Sequence, residues 1–185
     1  MRTTKLLVGA LLCGALTASA QSKIDASVSY ELQRSNGPAG ECGCFSLQGG
    51  RADGSYRVFG RFSVAGEISG AHASNITGSG VDLSLLTYMA GPRYSLHLQH
   101  GLKPFAQFLI GGVHGFDSTF PHPGGAVSSA NSFAFTTGGG LDYGLSRHIG
   151  VRVVQIDYLR TYLPNNANDE QNSLRIGAGI VFRMK

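Results

Sequence analysis

Ile24-Asp-Ala-Ser-Val-Ser-Tyr-Glu-Leu-Gln33 decides the fold. Ile24, Ala26, Val28, Tyr30 and Leu32 fall on one side of an extended chain, and Asp25, Ser27, Ser29, Glu31 and Gln33 on the other. A period of two is the repeat of a strand with one apolar face; a helix would repeat every 3.6 residues. The far end of the chain has the same pattern. Leu174, Ile176, Ala178, Ile180, Phe182 and Met184 alternate with Arg175, Gly177, Gly179, Val181 and Arg183.

Between these two strands the same alternation, cut by turn residues, predicts six more, at 50–59, 62–71, 83–94, 104–116, 132–144 and 149–162. In the seventh strand Val151 and Val153 differ in parity from Ile156 and Tyr158, which calls for a bulge. The connections alternate in length. Residues 34–49, 72–82, 117–131 and 163–173 are long and polar, whereas Gly60-Arg61 and Leu145–His148 are tight and 95–103 is intermediate. An even strand count, with long loops at one end and short turns at the other, is the plan of a bacterial outer-membrane barrel. The expected fold is all-β, an eight-stranded antiparallel up-and-down transmembrane β-barrel.

Charge content says which side of such a barrel is wet. The chain has 185 residues, 42% hydrophobic and 14% charged. An ordinary soluble domain carries roughly 25% charged residues, and a soluble barrel needs them on its outer face. Here the polar faces hold Ser, Thr, Gly and Gln with isolated charges: Glu31, Glu67, Arg93, Asp142, Arg152, Asp157 and Arg175. Those seven are expected inside, as a paired network in a narrow barrel filled by side chains. The apolar faces then meet lipid. Tyr30, Phe45, Tyr56, Phe62, Tyr88, Tyr94, Phe105, Phe116, Tyr143, Tyr158 and Phe182 are expected to form aromatic girdles, without any Trp. A soluble periplasmic barrel binding a small apolar ligand is the alternative in which these faces are reversed.

Met1-Arg-Thr-Thr-Lys5 is basic, Leu6–Ala18 is apolar and Ala18-Ser19-Ala20 is an A-x-A site, so residues 1–20 read as a cleaved signal peptide. Cys13 lacks the residues of a lipobox before it. Residues 21–185 form the expected barrel domain. The chain's formal charge is +4, and loss of Arg2 and Lys5 lowers it by two. Scattered, weakly basic charge excludes a nucleic-acid surface. Cys42 and Cys44 remain after export, one residue apart in the first long loop, as candidates for a local disulfide.

The whole exported chain resembles the small outer-membrane barrels of the OmpA transmembrane-domain and OmpX type. Arg175-Ile-Gly177-Ala-Gly-Ile180-Val-Phe182 is similar to the outer-membrane assembly signal, with Arg175, Gly177, Ile180 and Phe182 at its marked positions. Gly138-Gly-Gly-Leu-Asp-Tyr-Gly-Leu-Ser-Arg-His-Ile-Gly-Val-Arg152 resembles the strand–turn–strand unit before the last hairpin, and Gly91-Pro-Arg-Tyr94 a strand ending of porin-like chains. Two features depart from the pattern: Arg183-Met-Lys185 follows the final aromatic residue, and no peptidoglycan-binding domain follows the barrel. The resemblance implies insertion into the outer membrane of a Gram-negative-type bacterium, with both termini periplasmic. It implies outer-membrane lipid, lipopolysaccharide and the barrel assembly machinery as partners, and a structural or surface-interaction role through four extracellular loops. No cofactor is implied, and the interior is expected to leave at most a narrow pore.

Two constellations carry possible chemistry. His72-Ala-Ser74-Asn75 is similar to the His-x-Ser-Asn run of barrel enzymes that deacylate lipid A, in which a His and a Ser serve as base and nucleophile. An orienting carboxylate is needed, and the nearest in sequence are Asp82 and Glu67. His72, His114 and His122 with Asp117 fall toward the long loops, in a spacing that matches no compact metal motif. The expected protein is therefore not an enzyme, and its metal sites are expected to be none. Gly138–Gly140 precede no helix and are read as a place where side chains cannot fit, not as a phosphate cradle.

Overall fold

A computed structural model describes residues 24–36, 44–76, 80–165 and 167–184. The chain forms eight strands: β1 (Ile24–Asn36), β2 (Cys44–Phe59), β3 (Phe62–Ala73), β4 (Leu83–Ser95), β5 (Leu102–Phe116), β6 (Ala130–Gly144), β7 (Ile149–Thr161) and β8 (Gln171–Met184). Each pairs antiparallel with the next, and β1 pairs with β8 from Ile24↔Met184 to Ser35↔Ser173, so the sheet closes without an edge. Strands of 12 to 16 residues exceed the ~9–11 that a tilted strand needs to cross a bilayer. No helix among the described residues is long and apolar enough to cross one.

The strands run further into the long connections than alternation alone predicts. β2 begins at Cys44, where the apolar Phe45 and Leu47 face inward and Ser46 and Gln48 outward, the reverse of the lipid-facing pattern. β8 begins at Gln171 in a polar run that marks no face. Backbone pairing continues there past the apolar belt, as in Arg34↔Ser46 and Arg34↔Leu174. The bulge lies at Val153–Val154: Arg152 pairs with Asp142, and the next pair on that side is Val154 with Leu141. It restores the alternation, so that Arg152, Gln155 and Asp157 all point inward.

The barrel is polar inside and apolar outside. Glu31, Asp157 and Arg175 are fully buried, whereas Val28 is 60% exposed and Ile68, Ile110, Ile176 and Ile180 about half exposed. A water-soluble barrel carries the reverse arrangement. Outward aromatic residues gather near the turn end (Tyr56, Phe59, Phe62, Tyr143, Phe182) and near the loop end (Phe116, Phe133, Tyr158). Phe45 and Phe105 are exceptions to the expected girdle. Phe105 is buried inside the barrel, and Phe45 packs on the interior apolar cluster.

The interior has two levels. The middle and the turn end hold charge. The loop end holds an apolar cluster of Leu47, Leu85, Met89, Leu109, Val113, Ala134 and Leu159. Phe120 and Leu163, from the connections after β5 and β7, fold down onto it and are buried. A Phe120–Val127 bridge, with a hydrogen bond in each direction, holds Phe120 there.

Candidate functional site

Two places in the barrel concentrate polar chemistry. The first is the interior network, where small Ser, Thr and Gly side chains leave room for long charged ones. Glu31, Glu67, Arg93, Asp142, Arg152, Asp157 and Arg175 are all buried in it. Arg51 and Asp53 of β2 join them and were absent from the expected set. Four guanidiniums thus meet five carboxylates, one of each more than the three arginines and four acids expected from the sequence.

The network has an upper and a lower cluster. In the upper one Arg51 pairs with Glu31, with Asp157 at 2.6 Å and with Glu67 at 3.6 Å. Arg175 Nη2 lies 2.8 Å from Glu67, and Arg175 also reaches Ser69 and Thr136. In the lower cluster Arg152 pairs with Asp142 at 2.8 Å and with Asp53 at 2.6 Å, and Arg93 reaches Asp53 at 2.7 Å. Ser27 donates to the same Asp53 carboxylate. Gln155 joins the clusters: its Oε1 accepts from Arg152 (2.7 Å) and its Nε2 donates to Asp157 (2.8 Å). The Phe105 ring has the Arg93 and Arg152 guanidiniums 4.6 and 4.7 Å from its centroid, within reach of cation–π attraction.

The second place is on the outside, at the loop end. His72 and Ser74 lie on the outward side of β3 and just beyond its end, and both are exposed. His72 Nε2 lies 3.1 Å from Ser74 Oγ, and its Nδ1 lies 2.9 Å from Ser84 Oγ on β4. Ser84 Oγ donates to Asp117 Oδ2 at 2.7 Å. A hydroxyl has one proton. Ser84 spends it on Asp117 and must therefore accept from Nδ1–H, which leaves Nε2 free to accept from Ser74. The run is Ser74, His72, Ser84, Asp117, with the carboxylate one hydroxyl removed from the ring. Neither acid named from the sequence takes that place. Glu67 is inside the barrel, and Asp82 accepts from the Asn75 backbone N–H at 2.9 Å. Ser84 and Asp117 are brought to His72 by the register His72↔Ser84↔Phe116, which is not readable until the strands are paired. A shallow outward groove of about 380 Å³, lined by Gln48, Gly70, His72, Ser84, Leu86 and Phe116, adjoins the run.

The arrangement can polarise Ser74, but the donors for a developing oxyanion are less complete. Asn75 N–H, the nearest backbone donor in sequence, is already spent on Asp82. The other histidines do not converge on His72. His114 Nδ1 is 2.8 Å from Asn131 Oδ1 and its ring stacks on Phe116, while His122 Nδ1 accepts from Gly124 N–H. Among the described residues no group of three or more His, Cys, Asp or Glu is placed to hold a metal ion.

Residues 1–20 and Cys42 lie outside the described residues, so the signal peptide and the Cys42–Cys44 pairing do too. Cys44 itself is exposed at the start of β2. In the C-terminal strand Arg175 and Gly177 face inward, and Ile180 and Phe182 face outward, half exposed.

The chain is similar in fold to three solved outer-membrane proteins. Neisserial surface protein A shares 14% identity over 87% of this chain and 97% of its own, with a TM-score of 0.64. Ail, the attachment invasion locus protein of Yersinia pestis, shares 18% over 89% of this chain and all of its own, with a TM-score of 0.58. OprG from Pseudomonas aeruginosa shares 11% over 88% and 96%, with a TM-score of 0.50. No curated protein matches the chain in sequence. The model of the outer membrane protein beta-barrel domain matches residues 4–182, so this chain, with its closed eight-stranded barrel, its paired charges within and its apolar belt, belongs to that outer-membrane family.

Proposed function

We propose that the protein is a non-enzymatic outer-membrane barrel that acts at the cell surface through its four long connections. The observation that carries this reading is the filled interior. The ion network occupies the middle of the barrel, and Leu47, Leu109, Val113, Leu159, Phe120 and Leu163 occupy its loop end. A barrel filled in this way is a rigid support, and recognition falls to the loops it holds. Residues 1–20 direct export and are removed, both termini stay periplasmic, and the outer loops meet lipopolysaccharide and surface ligands. Arg175, Gly177, Ile180 and Phe182 serve the assembly machinery, with Ile180 and Phe182 on the side from which β8 is approached through lipid.

Single-channel recording of the purified barrel in planar bilayers tests the reading. The expected record shows no steady conductance of porin size. Steady conductance of that size would overturn it.

The Ser74–His72–Ser84–Asp117 run favours a second reading, hydrolysis of an acyl ester of lipid A at the outer rim. Release of fatty acid from labelled lipid A by the unchanged protein, abolished by Ser74→Ala, would establish it. An inactive unchanged protein removes it.

A further inference from the structure

The turn end of the barrel carries positive charge that the interior network does not balance. Below the Arg93–Asp53–Arg152 cluster, the inward faces of β1, β2, β5 and β8 end in Asp25, Arg57, Lys103 and Arg183. These four, with Arg147 of the β6–β7 turn, line a cavity of about 220 Å³ at the mouth. Among the described residues four cationic side chains thus share the cavity with one carboxylate, and that carboxylate is taken by Lys103. Among the described residues the loop end has the opposite balance: Asp82, Asp117, Asp169 and Glu170 stand against Arg34 and Arg160.

Arg183 is the most informative of the four. Its guanidinium is packed over two glycines: a Cβ at Gly144 would meet Nη1 at 2.6 Å, and one at Gly150 would meet Nη2 at 3.3 Å. Its backbone N–H donates to His148 O at 2.7 Å, which ties it to the β6–β7 turn. Nη2 is buried and has no hydrogen-bond partner. A buried guanidinium donor left without an acceptor is costly, and the cavity beside it is lined by further cations. Guanidinium forks match the oxygens of phosphate and carboxylate. Several arginines and a lysine around one small cavity favour the group with more oxygens and more charge.

We propose that the turn-end mouth is an anion site that takes a phosphate group, with Arg183, Arg147, Arg57 and Lys103 as its cationic wall. Two sources present that chemistry at a periplasmic mouth: a free phosphorylated solute, or a phospholipid headgroup. The rim carries apolar Leu98, Leu102 and Met184, which the start of an acyl chain would cover. The cavity is several times the ~30 Å³ share of one liquid water, so a phosphoryl group fits with water around it.

The test uses the folded protein in a maltoside detergent, which carries no phosphate. Inorganic phosphate and, separately, a short-chain phosphatidic acid are titrated while backbone amide signals are followed by nuclear magnetic resonance. The expected result is saturable shifts confined to the cavity lining, at residues 25, 57, 97–103, 144–148 and 183–184. Arg183→Gln and Arg147→Gln should each weaken the apparent affinity at least tenfold, and Arg34→Gln at the loop end should leave it unchanged. Arg147 is on an exposed turn, so its variant keeps the test valid if Arg183→Gln fails to fold. Saturation by both ligands supports a site for free phosphate, and saturation by the lipid alone a headgroup site. No saturable shift with either, or equal shifts in the turn-end variants, would overturn the proposal.

Discussion

The ring of Phe105 lies where a side chain at Gly140 would have to go. A Cβ at residue 140 comes within 2.8 Å of Phe105 Cζ and within 2.7 Å of Val154 O. The two residues face each other across β5 and β6, paired directly in the ladder. Phe105 is on the inward face of β5 with Lys103 and Gln107, and the missing side chain at Gly140 leaves room for its ring beneath Arg93 and Arg152. Gly140→Val is expected to destabilise the barrel by about 1–3 kcal/mol, the usual cost of overpacking. Gly66→Ala, whose added Cβ would meet nothing nearer than 4.0 Å, should change stability little. Urea unfolding of both variants in phospholipid vesicles checks the contrast, and equal losses would mean that Phe105 is not held there by Gly140.

Arg51 is the hub of the upper cluster, in contact with Glu31, Glu67 and Asp157. Breaking a buried ion pair from one side strands the other charge and costs about 3–5 kcal/mol. Arg51→Gln strands three carboxylates with Arg175 as their remaining guanidinium, so a loss in the upper part of that range is expected. Arg34→Gln removes an exposed guanidinium that, among the described residues, bonds to Ser46 in the loop-end rim, and it should cost well under 1 kcal/mol. The same vesicle unfolding measurement separates the two.

The facing of Glu31 was legible in the sequence because its neighbours alternate cleanly, with Tyr30 and Leu32 outward on either side. That of Arg51 and Asp53 was not. Gly49-Gly50-Arg51-Ala52-Asp53-Gly54 offers no large apolar residue to mark the lipid side, so parity cannot be assigned until Ala52 is paired with Val28 and Ile68. Phe105 is a strand-end aromatic, the type expected in a girdle, but the alternation of β5 places it on the inward face with Lys103, Gln107 and Leu109, and the space at Gly140 makes room for its ring there. The Val153–Val154 bulge was visible as a parity break in the sequence. Ser84 and Asp117 were not visible as neighbours of His72, because Ser84 is on β4, Asp117 lies just past the end of β5 and only the register joins them.

Phe120 anchors the third long connection. Its ring fills the space above Gly115, where a Cβ would come within 2.6 Å of Cζ. Phe120→Ala is expected to release residues 117–129 from the mouth without unfolding the barrel. Limited proteolysis should then cut that connection faster, while the heat-dependent gel shift of the folded barrel persists. An unchanged cleavage rate would show that the Phe120 ring does not hold the loop.

Val28 gives the most direct test of which side of the barrel meets lipid. It lies mid-strand, paired with Ala52 and Ile180, and is 60% exposed. If that face met water, Val28→Lys would be an ordinary surface change, within about ±0.5 kcal/mol. On a lipid face near the midplane the ammonium must leave water or drag water in, and Val28→Lys should cost about 2–4 kcal/mol. Leu98→Lys, an exposed change on the turn between β4 and β5, should cost about 0–1 kcal/mol because it lies outside the hydrocarbon. The difference between the two variants, measured by urea unfolding in vesicles, places the apolar belt. Equal and small costs would leave the outward apolar residues without a lipid to explain them.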